Sequence, residues 1–134
     1  MATTTAQITL SSSDLTSDAL SLTTTATLTD TASTTGVTET SGLSRKITTS
    51  NSEYTLLAEA DYANDKAHKI YLKHVGSTAS DRVDVKLASQ TIGRLYAGEW
   101  MFIPWGAHDT DNDIKVTPSV ATTMTLEYML FISA

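Results

Sequence analysis

Between Thr122 and Ile132 the chain alternates for five steps, with Met124, Leu126, Tyr128, Leu130 and Ile132 on one side. Successive side chains of a strand point to opposite faces, so this spacing predicts a β-strand with one buried face. An amphipathic helix would instead repeat its apolar positions about every three to four residues. Lys66–Val75 follows the same rule, with His68, Ile70, Leu72 and His74 opposite Lys69, Tyr71, Lys73 and Val75. Val83, Val85 and Leu87 make a third alternating face. Thr91–Tyr96, Glu99–Pro104 and the short run of Ile114 and Val116, closed by Pro118, read as further strands. Ser44–Thr49 is a short strand carrying Arg45, Lys46 and Ile47, while the Leu56-Leu57 pair leaves helix and strand both open for Glu53–Ala60. Turn-forming clusters separate these runs at Gly36–Gly42, Asp61–Asp65, Gly76–Asp81 and Ala97-Gly98. Strands about 8–12 residues apart without a convincing helix predict an all-β chain: an antiparallel β-sandwich, jelly-roll-like.

The first third differs in composition. Residues 1–44 hold no Lys or Arg, and 23 of the 44 are Ser or Thr. Such a stretch reads as a disordered tail on composition alone. Its apolar residues are ordered in sequence, however: Ile8 and Leu10 alternate with polar neighbours, as do Leu20, Leu22, Ala26 and Leu28. Threonine is β-branched and favours strands, so Thr23–Thr29 is expected to be a half-buried strand. The expectation is one domain overall, with residues 1–44 as a Thr/Ser-rich arm or outer strands and residues 45–134 as the sandwich. Exposed strands in the arm would suit pairing with a neighbouring subunit, which makes Ile8, Leu10, Leu20 and Leu22 candidate partner-binding residues.

Composition removes several function classes. At 134 residues the chain can bury a core without staples, and it has no cysteine for disulfides or thiolate metal sites. Its beginning lacks the basic and apolar regions of a signal peptide, and no run reaches the roughly 18 apolar residues of a membrane helix, so no membrane partner is expected. A net charge of −6, with nine basic residues scattered after Ser44, argues against direct binding of nucleic acid, which needs clustered Lys and Arg. Catalytic signatures are missing: there is no Gly-x-Ser-x-Gly elbow, no phosphate loop ending in Gly-Lys-Ser/Thr, and no His-Glu-x-x-His. The expectation is a protein that is not an enzyme and carries no cofactor.

Two constellations remain. In His108-Asp109-Thr110-Asp111-Asn112-Asp113, the alternating carboxylates of Asp109, Asp111 and Asp113 suit calcium, which takes several hard oxygen ligands on a flexible loop. Ile114 and Val120 stand where an EF-hand needs Gly and Glu, so the competing reading is an acidic turn whose carboxylates cap their own backbone. His68 and His74 lie six residues apart, about 20 Å along a strand, too far to share a metal, and read as surface or interface histidines. Among the aromatics, Trp100 and Phe102 share a parity and are expected in the core. A run apolar on both faces, Trp100–Ile103, points to a central strand or a subunit contact. Trp105, between Pro104 and Gly106, falls at a strand end and with Tyr96 is the candidate contact pair for a partner protein or a sugar ring.

The segments Lys-Ala-His-Lys-Ile-Tyr-Leu-Lys-His (66–74), Ile-Gly-Arg-Leu-Tyr-Ala-Gly-Glu-Trp-Met-Phe-Ile-Pro-Trp (92–105), Asp-Ile-Lys-Val-Thr-Pro (113–118) and Leu-Glu-Tyr-Met-Leu (126–130) resemble small virion structural proteins of tailed bacteriophages, those of marine and cyanobacterial phages above all. The likeness covers roughly residues 53–134. It implies a β-sandwich subunit of a phage particle, with no catalytic residue to carry over. Within that family the small acidic Cys-free β domain with its extended polar arm looks most like a capsid decoration, or cement, protein. Such a protein would bind the major capsid protein or other virion proteins, form a homo-oligomer with a trimer favoured, and reside in the virion after assembly in the host cytoplasm. The alternatives are a tail, neck or fibre-associated subunit, and a carbohydrate- or receptor-binding module.

Overall fold

A computed structural model describes residues 4–15, 17–29, 37, 39–64, 66, 68–107 and 111–133. It is all-β, with antiparallel sheets. Eleven strands are described: β1 Thr5–Ser12, β2 Leu20–Thr27, β3 Glu39–Thr40, β4 Ser44–Thr48, β5 Tyr54–Leu57, β6 His68–Val75, β7 Arg82–Leu87, β8 Gln90–Tyr96, β9 Trp100–Trp105, β10 Ile114–Pro118 and β11 Met124–Ile132. A single 3-10 turn, Glu59–Asp61, follows β5.

β1 and β2 form a two-stranded hairpin of their own. One larger sheet has the order β5-β10-β7-β8. The other has β3-β11-β6-β9, with β4 also on β11. β3 pairs with the C-terminal end of β11 and β4 with its N-terminal half, so together they act as one broken edge strand. The bend falls at Gly42, whose φ of 71° is left-handed backbone that a glycine adopts without strain.

Burial follows parity. His68, Ile70, Leu72 and His74 of β6 face inward, as do Met124, Leu126 and Leu130 of β11. Val83 and Val85 of β7, Leu95 of β8, and Ile114 and Val116 of β10 meet them from the other sheet in one core. Two sheets sharing an apolar core in this way are consistent with a β-sandwich. Each fully buried aliphatic side chain contributes about 1.5–3 kcal/mol, so this cluster is the main source of stability.

Several expectations change. Glu53–Ala60 resolves into a strand at Tyr54–Leu57 and a 3-10 turn, so neither helix nor strand alone fits it. The expected half-buried strand Thr23–Thr29 divides: Thr23 to Thr27 of β2 are exposed, because the hairpin packs no sheet against either face, while Leu28 just beyond it is buried at 5%. β9 is an edge strand rather than a central one. Its apolar residues serve both faces of the sheet, with Met101 and Ile103 opposite Leu72 and Ile70 inside, and Trp100 and Phe102 outside.

At the β5 edge the Tyr54 ring is half-buried under the Lys46 ammonium, 5.5 Å from the ring centroid, and its hydroxyl has no hydrogen-bond partner. Burial, and then the neighbouring Tyr128, push this phenol from 10.0 up to about 12. The folded chain therefore keeps a proton that the unfolded chain releases above pH 10. The stability this contributes is complete below pH 10 and is lost as pH climbs through 12. Tyr54→Phe removes an unsatisfied hydroxyl and keeps the ring, so it should leave stability at neutral pH equal or slightly higher. It should also flatten the fall between pH 10 and 12, as read by urea unfolding across that range.

Candidate functional site

The register of the second sheet places its outward side chains on a grid. Cross-strand partners run Trp100–Lys73–Glu127–Arg45 in one row, Phe102–Tyr71–Met129 in the next, and Pro104–Lys69–Phe131–Thr40 in a third. Leu43, 55% exposed at the break between β3 and β4, adjoins the middle row. Large apolar side chains thus form a band across the outer face, including both phenylalanines and one of the two tryptophans of the chain. Phe102 and Phe131 meet edge to face at 6.0 Å, and Tyr71 and Trp100 lie 6.5 Å apart at 37°. Trp100 is 50% exposed.

The charges beside this band are three cations and one carboxylate. Arg45 donates Nε–H and Nη2–H to the same Glu127 oxygen, at 3.2 and 3.0 Å. An exposed pair of this kind is worth about 0–1 kcal/mol and orders the row more than it stabilises it. Lys69 Nζ donates to the Thr29 carbonyl at 2.5 Å, which ties the segment after β2 to this face. Lys73 has no carboxylate partner among the described residues. Burial, and then the Glu127 carboxylate, raise the Tyr71 phenol above its ordinary value.

The hairpin is amphipathic in the same sense. Register sets Ala6, Ile8 and Leu10 of β1 beside Ala26, Thr24 and Leu22 of β2, with Leu20 opposite Ser12. The other face is wholly Ser, Thr and Gln, and is stitched by Gln7 Nε2–H donating to Thr25 Oγ1 at 3.2 Å and by a Thr9–Thr23 hydroxyl contact at 3.4 Å. The expected docking residues Ile8, Leu10, Leu20 and Leu22 therefore share one face. It is open: Ile8, Leu10 and Leu22 are 37%, 50% and 48% exposed. Leu10 looks across a wide cleft of about 590 Å³ toward Gly93, Leu95, Trp100 and Met101. The hairpin does not close onto the sandwich.

Other expected site residues are placed differently. Trp105 is not a surface contact. It is 3% exposed, stands opposite His68, and donates Nε1–H to the Asn112 carbonyl at 2.8 Å. The reason is parity: Trp105 shares a face with Met101 and Ile103, and β6 holds that face inward. Trp100 and Phe102, expected in the core, take the outside for the same reason. Tyr96 is 43% exposed, at the β8–β9 turn where its N–H donates to Glu99. It lies at the other end of β9 from Trp105, about 17 Å away along the strand, so the two form no joint site.

His68 and His74, expected at the surface, are 0% and 1% exposed. The Ser133 N–H donates to His68 Nδ1 at 3.1 Å, so Nε2 carries the proton and donates to the Ala63 carbonyl at 3.1 Å. Tyr62 packs edge to face on both His68 and Trp105, closing a buried aromatic trio. His74 has no partner for Nδ1, and its ring leaves no space for a Cβ on Gly76, which would stand 2.9 Å from Nε2.

In the acidic segment, His108 and Asp109 lie outside the described residues. The Asp111 and Asn112 N–H groups both donate to the Glu59 carboxylate, and the Glu59 N–H donates to Asp113 at 3.1 Å. Lys115 sits 4.0 Å from Asp111 and 3.7 Å from Asp113. These carboxylates are engaged with backbone and lysine in a reciprocal cap, and no metal-ligand cluster occurs among the described residues.

No protein-family model, no curated protein and no solved structure matches this chain.

The two tryptophans should separate sharply. Trp105→Ala should cost about 3–5 kcal/mol in urea unfolding, while Trp100→Ala should cost under about 1 kcal/mol. In Trp105→Phe the remaining emission should be that of a solvated indole, and in Trp100→Phe that of a buried one.

Proposed function

We propose that this chain is a non-enzymatic structural subunit of a tailed-phage particle, a head decoration protein that binds the assembled shell and stabilises it. The observation that carries the reading is strand order. Taking β3 and β4 as one broken strand, the eight strands from β3 to β11 divide so that one sheet holds the first, eighth, third and sixth. The other sheet holds the second, seventh, fourth and fifth. That order is the one expected of a jelly roll, an architecture recurrent in capsid and lectin domains.

Fold alone does not fix function. One feature of the surface narrows it. Large apolar side chains stand exposed on the hairpin, at Ile8, Leu10 and Leu22, and on the sandwich, at Leu43 and Trp100. The hairpin is then the arm by which a small sandwich reaches a neighbour. Attachment works by linkage: a subunit that buries its apolar face only on an assembled shell adds its binding free energy to that shell and nothing to free capsid protein. Oligomerisation, with a trimer favoured, and residence in the virion belong to the same proposal.

A glycan-binding reading rests on one observation, the exposed Trp100 beside the half-buried Tyr71, since sugar rings stack on aromatic faces. It passes to these residues from Tyr96 and Trp105.

The deciding measurement is the copy number of this chain in purified particles, by quantitative mass spectrometry against the major capsid protein. A ratio near one, or a fixed large fraction of it, is expected. Tens of copies would move the protein to the tail or neck, and its absence from particles would remove the virion reading. Deleting residues 1–15 should abolish particle binding while the circular dichroism and melting of the sandwich persist.

A further inference from the structure

At one end of the sandwich, where β6 runs into the connection before β7 and the chain enters β11, lies a partly enclosed cavity of about 150 Å³. His74, Asp81 and the hydroxyl residues Ser77, Thr78, Thr123 and Thr125 line it, and no Lys or Arg does among the described residues. We propose that this cavity binds a primary ammonium group, held by hydrogen bonds to His74 Nε2, the Asp81 carboxylate and the surrounding hydroxyl oxygens. Such a site needs nothing from the virion reading.

Two observations mark the cavity as built. His74 is 1% exposed, and its Nδ1 has no hydrogen-bond partner. Buried polar groups are nearly always paired, so an imidazole held this way calls for a partner beyond the described residues. Nδ1 is sealed in, which leaves Nε2 as the ring nitrogen able to meet one. Gly76, also in the cavity wall, stands beside it: a Cβ there would lie 2.9 Å from Nε2, too close for a real side chain. The Gly76 backbone is not left-handed, unlike that of Gly42 and Gly98, so torsion does not call for glycine here. Space does, because the missing Cβ keeps Nε2 open toward the cavity.

Charge and donor geometry select the ligand. Asp81 is the one charged side chain among the described wall residues, on a chain of net charge −6, so a cation is favoured over an anion. One Asp81 oxygen takes the Ser80 Oγ–H at 3.4 Å. No ion pair joins Asp81 to His74, and no cluster of three metal-ligating side chains occurs among the described residues, so a bare metal ion is poorly matched. An ammonium nitrogen carries three donors and bridges acceptors that do not touch each other. Here they come from three segments, the end of β6, the 76–81 connection and the entry to β11. That arrangement suits a compact donor better than the planar fork of a guanidinium. A cavity of about 150 Å³ matches the liquid volume of about five waters, enough for the ammonium and the first carbons of its stem.

The test is a titration of the intact chain with methylammonium, followed by NMR. Saturable shifts are expected for the Gly76, Ser77, Thr78 and Thr123 amides and the His74 ring, with a dissociation constant on the order of 10 mM for so small a ligand. Tetramethylammonium, which has the same charge and no N–H, should leave these resonances unmoved. Asp81→Asn should weaken binding at least about tenfold with the melting transition retained. Gly76→Ala should abolish binding by pressing on Nε2, and the Asp81 variant keeps the test decisive if that chain fails to fold. n-Butylammonium separates two sources of the same group. Binding tighter than that of methylammonium assigns the cavity to a partner's lysine side chain, and weaker binding assigns it to a free small amine. The absence of any saturable shift would mean that the cavity holds water only, and would overturn the proposal. Equal shifts from tetramethylammonium, or undiminished binding in Asp81→Asn, would overturn it as well, since general attraction to an acidic surface would then account for the effect.

Discussion

The pairing of β6 with β11 decides what the rest of the molecule can be. Their register runs from Thr125 opposite Val75 to Phe131 opposite Lys69, and it fixes both faces of the sheet at once. Inward, it lines up Ile70, Leu72, Leu126 and Leu130 against the second sheet. Outward, it lines up Tyr71, Met129 and Phe131 with the lysines. A slip of one residue in either strand would exchange its two faces and carry Lys69 and Lys73, or Glu127, into the core. Burying an unpaired charge costs several kcal/mol, comparable with the whole net stability of a small domain, so the slipped arrangement is strongly disfavoured. The core and the outer apolar band are therefore two consequences of one register.

How much of this was legible depended on whether one face of a strand was polar. In β6, β7 and β11 the alternation marks the inward side without ambiguity, and the positions carrying Ile70, Val83, Val85, Leu126 and Leu130 follow directly. In β9 both faces are apolar, so alternation alone could not orient it. Its parity comes from pairing with β6, a contact between residues some thirty positions apart. That is why Trp100 and Trp105 exchange the places expected of them. The histidines show the opposite failure. His68 and His74 share the face of Ile70 and Leu72, which was a sufficient signal for burial, and polarity outweighed it in the reading. A neutral imidazole can enter a core when its ring nitrogens find partners, as those of His68 do in the Ala63 carbonyl and the Ser133 amide. In the arm, Ile8, Leu10 and Leu22 mark the hairpin's apolar side, while nothing in their spacing told that this side would be left uncovered.

The acidic turn was legible as chemistry but not as geometry. Carboxylates at alternate positions suit a hard cation or a backbone cap equally well. Asp113 accepts from the N–H of Glu59, more than fifty residues earlier, whose own carboxylate receives two N–H groups of the same turn. Reciprocal caps of this kind satisfy backbone donors that a tight turn leaves without ladder partners. They join the end of β5 to the entry of β10, which are neighbours in one sheet. The turn thereby helps hold Ile114 and Leu57 opposite each other at the edge of the core.

The hairpin remains the feature that packing within one chain does not account for. Two strands alone are marginally stable in water, because the ladder they form barely offsets the entropy of ordering some sixteen residues. The Thr-rich face adds only exposed hydroxyl contacts, and the apolar face adds little while it looks into an open cleft. An apolar surface held out on a two-stranded ribbon also invites non-specific association, and natural sheets are usually arranged to avoid that. Its persistence is understandable if the missing burial is supplied from outside the chain. Ordering of the arm and engagement of its partner then become one coupled step, with the free energy of the contact offsetting the entropy of the hairpin. A surface that displays several aligned sites gains most from such coupling, because the arm is ordered only where a partner is already in place.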